Sequence, residues 1–169
     1  MPLPSTYTPI FNLTISTSFN SITVSNIPQN YTDLVFMFNA RGSNDIESDI
    51  GIRFNSDTST AYSDTRMYGE SLSAGSDRHT TINYINIGRQ GGTVFAPNIY
   101  NIMNYTNANA FKNVVARSGH ATSGGSITLA NIGIWRSTSA ITTIDLVQLG
   151  AQNYKSGCTF ALYGIKAAS

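Results

Sequence analysis

Asp45, Glu47 and Asp49 alternate in the stretch NDIESD. Alternating carboxylates in a loop can converge on calcium, a hard cation that prefers oxygen ligands. The stretch lacks the mid-loop glycine and the closing glutamate of an EF-hand. A solvated loop before a strand is the plainer reading. His79 in GSDRHTT and His120 in RSGHATSGG are the only histidines, and both are expected in loops. A hydrolase triad needs a nucleophile, a base and an orienting carboxylate in reach of one another. No G-x-S-x-G elbow supplies the nucleophile. Two histidines and Cys158, scattered along the chain, have no zinc spacing. Nine acidic residues single out no pair for glycoside hydrolysis. GRQGG lacks the spacing and the lysine of a phosphate cradle and reads as a tight turn. These residues predict a protein that is not an enzyme and carries no metal or cofactor. Sugar binding stays open, because Tyr68, Tyr100, Tyr105 and His120 are expected in or near loops, among many Asn and Asp side chains.

Composition narrows the choice further. Charged residues are 11% of the 169 residues, against a usual share of about 25%. Ser, Thr and Asn make up about a third of the chain, and nine Tyr and eight Phe supply material for a core. A net charge of +1, without basic or acidic runs, points to no nucleic acid and no anionic membrane surface. No signal peptide and no membrane helix is legible, which predicts a soluble chain made in a reducing cytoplasm. Cys158, alone in an apolar run, is expected to be a buried thiol.

The elements that must position these residues are strands. FNLTIS sets Phe11, Leu13 and Ile15 on one face, and DIGIRFN does the same with Ile50, Ile52 and Phe54. DLVFMFNA and TFALYGI are apolar on both faces, as central strands covered on both sides are. SITVSNI, TTINYINI, FKNVVARS, SITLANIGIW and ITTIDLVQL add further strands. In SITLANIGIW the apolar phase changes between Leu129 and Ile132, which predicts a bulge near Ala130 and Asn131. No window has helical periodicity. The fold class expected is all-β, an antiparallel β-sandwich, with residues 1–10 as an extended arm and 11–169 as one domain. WRSTSAITTIDL reads as the end of one strand, a turn over Ser137 to Ala140, and a strand beginning at Ile141.

At YTDLVFMF, IRFNSDTSTAYSDTRM, WRSTSAITTIDL and FALYGIKAA the chain resembles a diffuse group of small β-rich virion proteins of tailed phages. The resemblance runs from Tyr7 to Lys166. It implies a jelly-roll-like sandwich, a homotrimer, and mounting on the exterior of a virion assembled in a bacterial cytoplasm. It carries no catalytic residue over. It implies a capsid decoration or cement protein, with the major capsid protein as partner. The alternative is a tail-fibre or adhesin module that binds host-surface glycan. The contact residues expected are Pro2, Leu3, Pro4 and Tyr7 of the arm, because a proline-rich segment loses little freedom on docking. Trp135 and Arg136 join them if they stand exposed at a tip, with packing as the first reading for Trp135.

Overall fold

The computed structural model describes residues 6–122 and 125–166. Within them lie twelve strands and no helix: β1 (Tyr7–Thr14), β2 (Ser21–Val24), β3 (Asp33–Ala40), β4 (Ser48–Phe54), β5 (Tyr62–Glu70), β6 (Ser73–Ile82), β7 (Ile85–Gln90), β8 (Ala96–Met103), β9 (Lys112–Thr122), β10 (Gly125–Trp135), β11 (Ile144–Gln148) and β12 (Thr159–Ile165). Every pairing between these strands is antiparallel. The large sheet has the order β1-β12-β3-β8-β9-β10-β5-β6 and the small one β2-β11-β4-β7. The two sheets pack face to face, so the protein is an antiparallel β-sandwich.

Alternation builds the core. Leu34, Phe36 and Phe38 of β3, Tyr100 and Ile102 of β8, and Phe160 and Leu162 of β12 point inward from the large sheet. Ile22, Val24, Ile50, Ile52, Phe54, Ile85, Ile87, Ile144 and Leu146 meet them from the small sheet. Aromatic rings fill the gap between sheets: Phe38 stacks on Phe160 at 5.5 Å and meets Tyr100 edge-on at 5.0 Å. Cys158 is buried in the same core, and burial pushes its thiol pKa up.

Several sequence expectations change here. Tyr7 to Pro9 pair with β12, from Tyr7 opposite Ile165, and Ile10 is bulged before pairing resumes at Phe11, so these residues belong to the sheet and not to an arm. Residues 1–5, with Pro2, Leu3 and Pro4, lie outside the described residues. His79 and Tyr100 sit within β6 and β8, and His120 within β9, not in loops. β5, β8 and most of β6 are not among the expected strands, because Ser, Asp, Gly, Asn and Pro within them resemble turn chemistry. TTINYINI is two strands, β6 and β7, with a turn at Asn83 and Tyr84 between them. β10 has no bulge, and its register against β5 and β9 is continuous. Its inward face runs Ile127, Leu129, Asn131, Gly133, Trp135. Asn131 is tolerated there because its amide donates to the Asn86 carbonyl at 2.9 Å. Gly133 is required because a Cβ would lie 2.1 Å from Cγ2 of Ile85. Ile132 and Ile134 point out of the sandwich.

The segment between β10 and β11 is longer than a turn. Ser137 Oγ accepts from the Ser139 amide at 3.2 Å, as a hydroxyl turn predicts. Asn55, at φ 52°, then holds the segment to β4. Its Oδ1 accepts from the amides of Thr142 and Thr143, and its Nδ2 donates to the Ala140 carbonyl.

Candidate functional site

The three alternating carboxylates do not converge. Asp45 takes Arg41 at 2.9 Å and Lys155 at 2.8 Å, and the bond from Lys155 leads the causes that hold its carboxyl below the usual range. Glu47 takes Nε2 of His120 at 2.7 Å and Arg89 at 3.4 Å. Asp49 takes Arg66 at 2.9 Å, Arg89 at 2.8 Å and the Asn86 amide at 3.0 Å. Burial pushes the Asp49 carboxyl up, but the bonds from Arg89 and Asn86 outweigh it and hold the group low. Arg66 continues to Asp77 at 2.8 Å. The result is one chain of alternating charge, His120–Glu47–Arg89–Asp49–Arg66–Asp77. It links the β4 and β7 side of the small sheet to β5, β6 and β9 of the large one. Among the described residues no three His, Cys, Asp or Glu side chains are placed to hold a metal ion.

His79 also pairs with a carboxylate. Its Nδ1 lies 2.7 Å from Asp64, whose fully buried side chain also accepts the Asn86 amide at 2.8 Å. That is the base and orienting acid of a triad in outline. No hydroxyl or thiol among the described residues bonds the other imidazole nitrogen, so the pair ends at the imidazole.

The expected contact residues are not brought together. Tyr7 is on the edge strand β1, 47% exposed, with its ring edge-on to Tyr163 at 6.2 Å. Trp135 is 3% exposed and belongs to the core. It stacks on Tyr62, leans on Phe54, and donates from Nε1 to Asp57 at 2.7 Å. The packing role is the one the structure shows, and the tip exposure that would make it an anchor is absent. Arg136 is exposed, with its guanidinium donating to Ser63 Oγ at 3.1 Å. The aromatics considered for sugar are also mostly enclosed. Tyr100 and Tyr105 are buried, the His120 side chain is 3% exposed, and Tyr68 lies under the Arg66 guanidinium.

A different surface emerges from the register. Successive pairings carry one outward row across the whole large sheet: Asn12, Ala161, Met37, Ile99, Arg117, Ala130, Met67 and Ser76, one residue from each strand. One step along the strands, the outward positions are Thr14, Thr159, Asn39, Pro97, Gly119 and Thr128. One step the other way they are larger: Tyr163, Val35, Asn101, Val115 and Ile132. Small side chains beside large ones make a groove of about 1400 Å³ across seven of the strands. Among the described residues no second sheet covers this outer face; Met37 and Ile99 lie half-buried on it and Met67 and Ile132 exposed, while Val35 is already buried. Met67 and Ile132 are 54% and 50% exposed.

The fold and the groove define a β-sandwich with one covered and one open sheet face. No protein-family model matches this chain, and no curated protein or solved structure is detectably similar to it. The groove was missed in the sequence because it is made of outward positions, and their alignment depends on which strands pair.

Proposed function

We propose that this protein works by contact, as a virion structural subunit that decorates and cements the exterior of a phage capsid, with the major capsid protein as its partner. The observation that carries the reading is the open outer face of the large sheet. On that face Met37 and Ile99 are half-buried and Met67 and Ile132 exposed, apolar side chains that no second sheet covers among the described residues. A face of roughly eight strands by seven residues, at about 4.8 Å and 3.3 Å per step, spans on the order of 900 Å². A standard protein interface buries roughly 800 Å² from each partner. Apolar side chains, amides and hydroxyls dominate it, which suits association that depends weakly on salt. The virion setting, the jelly-roll winding and the homotrimer come from the family resemblance and are proposed with it.

The glycan-binding alternative draws on the same amides and hydroxyls. The two rows that form the groove carry no outward aromatic ring on which a sugar would stack, so contact with protein is favoured. The test is co-purification. Particles from a producing host should retain the wild-type chain through a density gradient, and the double substitution Met67→Asp, Ile132→Asp should be lost from them. Retention of that variant at wild-type occupancy would remove the outer face as the contact.

A further inference from the structure

We infer that the groove takes an extended peptide segment of the partner, about nine residues long, whose carboxylate side chain pairs with Arg117. This rests on the contact reading and names the chemistry of what fills the site.

Charge gives the first argument. Arg117 lies in the middle of the row that crosses the sheet, between Ile99 and Ala130. It has no ion pair or side-chain hydrogen bond within the described residues. No Asp or Glu lines the groove. The carboxylates near that end of the sandwich are engaged elsewhere: Asp45 with Lys155, Glu47 with His120, Asp49 and Asp77 with Arg66, and Glu70 with Arg89. An exposed guanidinium flanked by Ile99 and Ala130 in an otherwise uncharged row offers its planar fork to a carboxylate from outside, which it binds in two-pronged fashion. Two copies of this face brought together would bring arginines and no free carboxylate, so the charge opposes a second copy as occupant.

The remaining lining gives the second argument. Asn12, Asn39, Thr128 and Thr159 line the groove, and none of their side chains is hydrogen-bonded inside the described protein. Covering them with an acyl chain would bury amides and hydroxyls against methylenes at a cost. A peptide backbone offers an N–H or a C=O at each step to pair with them. Six inter-strand gaps of about 4.8 Å make a groove of roughly 29 Å, the length of about nine extended residues.

The test uses the whole purified protein and a bead-displayed library of random nonapeptides. Enriched peptides should carry apolar residues around one Asp or Glu. Their synthetic, fluorescein-labelled versions should bind Arg117→Gln about tenfold more weakly, and Arg117→Lys should recover part of the loss. Both variants sit on the solvent face, and their thermal melts should match wild type. No enrichment would overturn the proposal. So would peptides that bind Arg117→Gln as well as wild type, or laurate occupying the groove in competition with no peptide. The contact reading fails separately. If Arg117→Gln still occupies particles at the wild-type level, the groove assignment falls while the contact reading stands. If selected peptides depend on Arg117 but the wild-type chain is absent from particles, the reverse holds.

Discussion

Lys112 places an ammonium group in a buried position and spends it on three backbone carbonyls, those of Asn107, Ala110 and Thr138. Burial lowers its pKa, yet the three acceptors keep the charge useful. They tie the β8–β9 loop to the segment after β10, so the side chain is structural. Lys112→Met keeps the length and removes the donors, and should cost about 2–4 kcal/mol in denaturant unfolding. An unchanged midpoint would mean that the loops hold without it. Gly133 poses the opposite problem, a place where nothing fits. Gly133→Ala should destabilise by about 1–3 kcal/mol through its clash with Ile85, and Ile85→Ala in the same chain should return part of that loss. Burial also marks the tyrosines. The Tyr62 phenol is pushed up to about 12, and those of Tyr100, Tyr105 and Tyr154 are also raised by burial. For Tyr62 the unfolded value is about 10. Its contribution to stability is whole below that pH and disappears as pH rises through about 12. Absorbance at 295 nm should show these phenols ionising together with unfolding, and independent titration near 10 would contradict their burial.

Between elements, the chain from His120 to Asp77 does what apolar packing does elsewhere in the sandwich. Asp49 is its centre, and its carboxyl is held low. Its contribution is present above the unfolded carboxylate range and is lost as pH falls through the lower native value. Asp49→Ala leaves Arg66 and Arg89 facing each other, and should cost about 2–3 kcal/mol while narrowing the acid limit of stability. β3 and β12 were legible to the residue, because apolar runs bounded by polar turns can hardly pair otherwise. β10 was legible as a strand but not in phase. Ile132 and Ile134 looked like core residues, and the strand in fact buries Asn131 and Gly133, whose fit depends on Asn86 and Ile85 of another strand. Charge and hydroxyls around His79 and His120 resemble turn chemistry, although both lie within strands. The carboxylates that hold them come from β5 and from the segment before β4, so no local pattern shows the pairs. The groove was hidden for the same reason, since one outward residue per strand leaves no mark along the chain.

At the scale of the molecule, the sandwich buries one face of its large sheet and leaves the other open. Stability and association should therefore separate. Met67→Asp with Ile132→Asp changes only outward side chains, so its unfolding free energy should stay within about 0.5 kcal/mol of wild type. The same pair of substitutions should abolish particle occupancy. A drop in stability comparable to that of Gly133→Ala would show instead that the face serves folding. The central claim is that the open face is covered by a neighbour on the capsid exterior. The most direct measurement is an electron cryomicroscopy reconstruction of particles from a producing host. The account predicts sandwich-shaped density on the outer shell, with the outer face of the large sheet against capsid protein and a side chain of that protein at Arg117. Density confined to the tail, or a shell-bound sandwich whose large sheet faces solvent, would contradict it.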